Sequence, residues 1–160
     1  MNKQYYINEA KRAASIQINE LKKIKKIFNK SFIKAVDLIL NCKGKIIFAG
    51  IGKSGLIARK ISATFSSVGI PSFFCDPAQA LHGDMGQIEK KDILIIFSYS
   101  GNTSELTNMI KYANRYNIKI IGIASKPDSI LLKASDIKLI LPKVKAVSYT
   151  HLRAHETTCD

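Results

Sequence analysis

The chain has 160 residues, 46% of them hydrophobic, and it contains neither an apolar run of membrane-spanning length nor a signal-peptide-like start. Its three cysteines are far apart and form neither a disulfide framework nor a CxxC metal pair, so we expect a cytoplasmic protein without a membrane partner. The net charge of +13 comes mainly from lysine, whereas nucleic-acid surfaces rely on arginine, so we expect no nucleic-acid partner.

Two helices are predicted in residues 1–44. From residue 3 to residue 28, apolar residues recur at helical spacing: Ala14, Ile18, Leu21, Ile24 and Phe28. Residues 31–42 continue with a second helical pattern, for which Ser31 is the expected N-cap and Gly44 the expected end. We expect these helices to pack on the following domain or on a partner subunit.

From residue 45 the chain alternates between short apolar strands and amphipathic helices. The predicted strands are 46–49, 72–75, 93–97, 119–124 and 137–141, and the predicted helices are 54–68, 103–116 and 128–134. Continuous apolar strands that alternate with helices indicate a parallel sheet covered on both faces. We therefore predict an α/β fold, a three-layer αβα sandwich with a five-stranded parallel sheet.

Apolar spacing also predicts which faces of two helices point inward. In the helix 54–68 the expected inward residues are Ile57, Ile61, Ala63, Thr64 and Phe65. In the helix 103–116 they are Leu106, Met109, Ile110 and Ala113.

A glycine-rich turn, Gly50-Ile51-Gly52-Lys53-Ser54-Gly55, follows the first strand and matches the G-x-G-x-x-G pattern of dinucleotide sites. Lys53 argues against a dinucleotide, because such loops rely on backbone groups alone. The next candidate acid, Asp76, also lies further on than the usual ~20 residues. A Walker A loop would need glycine where Ile47 stands. We expect a phosphate at the helix start, the alternative being a tight turn without a ligand.

A second polar turn, Ser98-Tyr99-Ser100-Gly101-Asn102-Thr103-Ser104, follows the third strand. Four hydroxyls exceed what a helix N-cap needs, and they suit the oxygens of a phosphate monoester without a metal. Glu105 comes next, either as an acid favoured by the helix dipole or as a carboxylate beside the ligand. Right-handed crossovers put the carboxyl ends of all strands on one edge, so we expect both turns to meet there.

The polar connection 76–91 is expected to reach the same edge. It contains His82, which titrates near neutrality and can therefore transfer a proton or bind a metal. A lone loop histidine is equally a solvated residue. Because the sequence offers no second convincing ligand, we expect no metal and no cofactor.

Three motifs in this order carry a family resemblance: G-I-G-K-S-G, P-S-F-F-x-x-P-x-x-A-x-H-G-D-x-G and S-x-S-G-x-[ST]-x-E. Over about residues 42–145 the chain resembles the sugar isomerase (SIS) domain, and more narrowly the bacterial D-arabinose 5-phosphate isomerases of the KpsF/GutQ/KdsD group. The resemblance implies a flavodoxin-like fold and a homotetramer. It implies interconversion of D-ribulose 5-phosphate and D-arabinose 5-phosphate, for synthesis of the lipopolysaccharide or capsular sugar Kdo.

The resemblance also implies roles for individual residues. Lys53 would hold the phosphate or polarise the carbonyl, His82 would assist ring opening or proton transfer, and Glu105 would join the acid/base groups. The phosphate-binding residues that it implies are Gly52, Ser54, Ser98, Ser100, Gly101 and Thr103. Aldose–ketose isomerisation needs such a set, namely a base near its working pH and a donor for the enediolate oxygen.

The resemblance ends near residue 145. Residues 146–160 match nothing in the family, so we expect them to be a disordered or artefactual tail on a C-terminally truncated protein. The expected domain organisation is therefore N-terminal helices at 1–44, a SIS domain at 45–145 and this tail. The family's second catalytic glutamate would fall at Ala146, and its late histidine and regulatory CBS domains would lie beyond the chain. We therefore expect sugar-phosphate binding with little or no isomerase activity.

Two alternatives stay open. One is a different SIS enzyme or a non-catalytic sugar-phosphate-binding module. The other is a SIS-containing transcription regulator of the RpiR type. Residues 1–45 carry 11 Lys and Arg against 3 Asp and Glu, but the segment is too short for a DNA-binding domain with its linker.

Overall fold

A computed structural model of the chain describes residues 3–80 and 83–144. The chain divides into two units, Met1–Lys26 with Pro142–Asp160, and Ile27–Leu141. In the first unit, helix α1 spans Lys3–Lys22 and contains no buried residue. The helix predicted to reach residue 28 gives way to a 3-10 turn, Lys23–Ile27. Four residues of the predicted apolar stripe are exposed: Ile18, Leu21, Ile24 and Phe28.

Helix α2 spans Lys30–Leu40 in the second unit. The prediction of Ser31 as its N-cap is wrong, because Asn29 occupies that position. The Asn29 side-chain oxygen accepts a hydrogen bond from the Ser31 N–H at 2.8 Å. Asparagine is as good an N-cap residue as serine. The helix therefore begins at Lys30, earlier than a cap at Ser31 would place it.

The five strands are β1 Ile46–Gly50, β2 Ser72–Cys75, β3 Ile93–Phe97, β4 Lys119–Ala124 and β5 Ile137–Ile140. They form one sheet in the order β2-β1-β3-β4-β5, and every neighbouring pair is parallel. The connecting helices are α3 Lys53–Ser67, α4 Leu106–Arg115 and α5 Ile130–Ala134, and a 3-10 turn, Asp84–Gln87, lies between β2 and β3. The predicted five-stranded parallel sheet is confirmed.

Alternate residues of the interior strand β1 face two different cores. Ile46 and Phe48 belong to the core that the sheet forms with α2 and α3. Ile47 and Ala49 belong to the core on the opposite face, formed with α4 and α5. Both faces of the sheet are therefore covered, which confirms the three-layer αβα sandwich.

The part of α3 that is buried against the sheet consists of small residues. The buried residues of the helix are Gly55, Ala58 and Ser62. The predicted inward face is wrong at three exposed positions, Ile57, Ala63 and Thr64, while Ile61 and Phe65 are half-buried against the core. A Cβ atom on Gly55 would lie 2.6 Å from the Gly50 carbonyl oxygen, closer than real Cβ contacts come. This close approach, rather than the large apolar residues, sets the rotation of the helix.

Helix α4 begins at Leu106, a little later than its predicted start at about residue 103. The Leu106 and Thr107 N–H groups donate to carbonyls three residues earlier, which makes residues 103–105 a tight turn. The predicted inward residues are all buried: Leu106, Met109, Ile110 and Ala113.

No helix among the described residues has the length and apolar character needed to cross a bilayer. The predicted domain boundaries at residues 44 and 145 stay predictions.

Candidate functional site

The strand order reverses between β1 and β3, and the two polar turns start there. The chain leaves β1 through α3 toward β2 on one side, and leaves β3 through α4 toward β4 on the other. Gly50, the last residue of β1, pairs with Phe97, the last residue of β3. Open α/β sheets bind ligands in the crevice at this reversal. The turns 50–55 and 98–105 thus leave the expected edge from neighbouring strands.

The first turn presents the uncapped start of α3. Gly52 stands at the N-cap with φ of 58° and makes no side-chain capping bond. Glycine suits this left-handed backbone, because a Cβ atom there is strained. The first N–H groups of a helix lack intrahelical partners, and the dipole adds partial positive charge. This helix start is therefore suited to an anion.

Lys53 is the first residue of α3 and is exposed, and the half-buried Ser54 follows it. The first turn of α3 contains no acidic residue. A cation at this end of a helix opposes the dipole, typically by about 0.3–1 kcal/mol. A bound anion would interact favourably with both the helix dipole and the Lys53 charge, so this helix start is suited to a phosphate.

The second turn is organised around the buried hydroxyl of Ser98, a residue that is 5% exposed. The Ser98 hydroxyl oxygen accepts a hydrogen bond from the Gly101 N–H at 3.0 Å. It also lies 2.9 Å from the Thr103 hydroxyl oxygen, and either hydroxyl can be the donor. Ser98 therefore holds the turn in shape, while the half-buried Thr103 stands nearer its surface.

Ser100 and Gly101 form the tip of the second turn. The Ser100 hydroxyl oxygen accepts a hydrogen bond from the Asn102 N–H at 3.3 Å, and Ser100 is half-buried. Gly101 is buried with φ of 68°, and any Cβ atom there would collide with the Ser129 side chain. Glycine at position 101 is therefore required by both conformation and space.

Glu105 stands immediately before α4 and is exposed. Its carboxylate accepts a hydrogen bond from the Ser104 hydroxyl at 2.8 Å. The pKa of Glu105 lies below its ordinary value, chiefly because its own backbone N–H and then the Ser104 hydroxyl stabilise the charged form. Glu105 is accordingly ionised at neutral pH.

The connection between β2 and β3 is anchored at both ends, because Ala80 and Ile88 are buried in the core. His82, the predicted catalytic histidine, lies outside the described residues. Asp76, the candidate ribose acid of a dinucleotide site, instead accepts a hydrogen bond from the Ala78 N–H at 3.0 Å. This bond ties its carboxylate to the local turn.

Cys75 ends β2 on the same edge and is buried. Burial raises the pKa of its thiol to about 11, and the nearby charges of Asp84 and Asp76 raise it further. The thiol stays protonated at neutral pH, which makes it a packing residue rather than a nucleophile.

The sequence did not reveal the residues after β4 and at the start of α5 that form hydrogen bonds with the second turn. Ser125 follows β4 and donates two hydrogen bonds to the Tyr99 carbonyl oxygen. The Asn102 side-chain oxygen accepts a hydrogen bond from the Ile130 N–H at 2.9 Å. One signal was present in the sequence. The small polar residues Ser125 and Ser129 follow β4, just as small polar residues follow β1 and β3.

Comparisons with known proteins agree with this arrangement. The SIS domain family model matches residues 39–157. Arabinose 5-phosphate isomerase GutQ of Escherichia coli K12 is 35% identical over 152 residues, which cover 95% of this chain and 47% of GutQ. The chain thus spans about half the length of this curated relative.

Two solved structures share the fold. The protein c3406 of E. coli CFT073, solved in complex with arabinose 5-phosphate, is 34% identical, with a TM-score of 0.79 over 91% of this chain and 77% of that one. The protein lmof2365_0531 of Listeria monocytogenes is 33% identical, with a TM-score of 0.85 over 91% of this chain and 76% of that one.

Proposed function

This chain belongs to the SIS domain family, and from that premise we propose that it binds a pentose 5-phosphate between its two polar turns. One observation carries the proposal: the turns leave the sheet from the paired residues Gly50 and Phe97, at the strand-order reversal. The complex of c3406 with arabinose 5-phosphate and the activity named for GutQ support it. We infer that the ligands are D-arabinose 5-phosphate and D-ribulose 5-phosphate.

The phosphate is held from both sides of the crevice in this proposal. On the β1 side, the uncapped start of α3 offers N–H groups and Lys53 adds a full positive charge. On the β3 side, the hydroxyls of Ser100 and Thr103 complete the cup. Backbone dipoles, one cation and hydroxyls suit a phosphate monoester without a metal.

The proposed chemistry moves one proton between C1 and C2 of the open-chain sugar. A base takes the proton beside the carbonyl, and a donor stabilises the oxygen of the resulting enediolate. Glu105 is ionised and can accept a proton, while Lys53 is assigned to the phosphate at the other end of the sugar. We assign ring opening or proton transfer to His82 on the strength of the family resemblance.

In this chain we propose that binding is retained and turnover is low. Ala146 stands where the resemblance places a second catalytic glutamate. Loss of one acid/base group typically lowers a rate by about 10²–10⁴-fold. For the whole protein, the proposal includes a homotetramer and the supply of arabinose 5-phosphate for Kdo synthesis.

Isothermal titration of the folded chain with D-arabinose 5-phosphate tests the proposal, with D-arabinose as the matched ligand without a phosphate. We expect a Kd of about micromolar to low millimolar for the phosphate ester and no heat for the free sugar. An isomerase assay beside GutQ should show binding without comparable turnover. No heat from the phosphate ester, with a folded circular-dichroism spectrum, contradicts the proposed site.

A further inference from the structure

The second turn is fastened to the residue that follows β4. The Tyr99 carbonyl oxygen accepts a hydrogen bond from the Ser125 N–H at 2.9 Å. The same oxygen accepts a second bond from the Ser125 hydroxyl at 2.7 Å. Ser125 is buried and Tyr99 is exposed, so the hydroxyl bond between them is partly shielded from water. Two donors from one residue therefore fix the direction of a single carbonyl group in the turn.

The remainder of the turn is fastened to the start of α5. The Gly101 carbonyl oxygen accepts a hydrogen bond from the Leu131 N–H at 3.0 Å. The Asn102 side-chain oxygen accepts one from the Ile130 N–H at 2.9 Å. Two N–H groups at the start of α5 thus bind the turn, and these oxygens of Gly101 and Asn102 face α5.

Peptide geometry converts this fastening into a direction for an N–H group. In a planar trans peptide, the N–H of one residue points opposite to the carbonyl of the residue before it. Because the Tyr99 carbonyl is held at Ser125, the Ser100 N–H is directed away from β4. Within residues 3–80 and 83–144, the Ser100 N–H makes no hydrogen bond. Since β1 and β4 flank β3 on opposite sides, this direction leads toward the crevice.

We propose that Ser125 is a positioning residue that aims the Ser100 N–H at the bound phosphate. The inference rests on the proposed function, because it assigns how the same site holds its anion. The Ser125 N–H alone would join the turn to the end of β4. The additional hydroxyl bond to the same oxygen restricts rotation of the peptide between Tyr99 and Ser100, which presents its N–H in a fixed direction.

The test compares two serine-to-alanine variants of the full chain. Ser125→Ala removes the hydroxyl that holds Tyr99. Ser135→Ala is the matched control, since the Ser135 hydroxyl donates to the Leu131 carbonyl at 2.7 Å and the residue is 7% exposed, against 6% for Ser125. Thermal unfolding should show similar losses of stability. Titration with D-arabinose 5-phosphate should show about tenfold weaker binding for Ser125→Ala alone.

A nuclear magnetic resonance measurement separates positioning from a general structural effect. In the unsubstituted chain, we expect the Ser100 amide proton to shift downfield when the site is saturated with D-arabinose 5-phosphate. The shift should be reduced in Ser125→Ala and restored in Ser125→Thr, which keeps the hydroxyl. It should be unchanged in Ser135→Ala.

The outcomes separate this inference from the proposed function. If the unsubstituted chain does not bind D-arabinose 5-phosphate, the proposed function fails, and the inference fails with it. If the chain binds but its Ser100 amide proton does not shift, the positioning role is wrong while the proposed function stands. The same conclusion follows if Ser125→Ala and Ser135→Ala bind with equal affinity. The amide shift of the unsubstituted chain remains decisive should Ser125→Ala not fold.

Discussion

The hydroxyl oxygens of Ser98 and Thr103 lie 2.9 Å apart, which joins the end of β3 to the turn before α4. Ser98 also accepts the Gly101 N–H, so one buried hydroxyl connects both halves of the turn. These bonds join residues of the turn to one another. They restrict the conformational freedom of the turn, which reduces the ordering entropy that binding has to offset.

Thr103→Val should weaken the binding of D-arabinose 5-phosphate by about tenfold, because it removes one hydroxyl and keeps the shape of the side chain. Thr107→Val is the matched control, since Thr107 is half-buried one helical turn further on. Isothermal titration measures both variants. Equal affinities for the two would show that Thr103 does not contact the ligand.

Lys53→Ala should lower the affinity for D-arabinose 5-phosphate by about tenfold or more, and it should flatten the dependence of binding on salt. Lys60→Ala removes the same charge from an exposed position of the same helix and serves as the control. A similar loss of affinity in Lys60→Ala would show that the effect of Lys53→Ala comes only from the change in net charge.

Gly55→Ala should lower the free energy of unfolding by about 1–3 kcal/mol, since its Cβ atom would lie 2.6 Å from the Gly50 carbonyl oxygen. Gly86→Ala is the control, because a Cβ atom there meets nothing within 4 Å. Urea unfolding of both variants gives the comparison. Equal stabilities would show that α3 can move away from β1 without cost.

Asp136 should make the stability of the chain depend on pH. Burial alone would raise the pKa of Asp136, but hydrogen bonds from the Ile120 N–H and from Lys119 outweigh it and hold the pKa below its ordinary value. The stabilisation is present above the unfolded pKa of about 3.9 and is lost as pH falls through the lower folded pKa.

Asp136→Asn should therefore destabilise the chain near neutral pH, and the difference from the unsubstituted chain should shrink toward pH 2. Asp128→Asn is the control, because the Asp128 side chain makes no hydrogen bond or ion pair with the described residues. Thermal unfolding across this pH range measures the difference. A pH-independent difference for Asp136→Asn would show that the carboxylate charge is not what matters.

The strands and the sheet edge from which both polar turns leave could be predicted because their signals are local. Continuous apolar runs marked β1 to β5, and glycine with small polar residues marked the turns at Gly52 and Gly101. The position of α3 could not be predicted from its large apolar residues. It depends on contact between Gly55 and Gly50, which belong to different elements.

The supports of the second turn were also beyond a local pattern. Ser125 lies 26 residues from Tyr99 along the chain, and Ile130 lies 28 residues from Asn102. Such pairs meet only because β4 lies beside β3 in the sheet. The sequence pattern identified four hydroxyls but did not show that the Ser98 hydroxyl is buried within the turn.

A crystal structure of the chain with D-arabinose 5-phosphate is the most direct test of the proposed site. We expect the phosphorus atom between the start of α3 at Gly52–Ser54 and the turn at Ser98–Thr103, with Lys53 within ion-pair distance of the phosphate. A phosphate bound elsewhere on a folded chain, with this crevice filled by water, would contradict it.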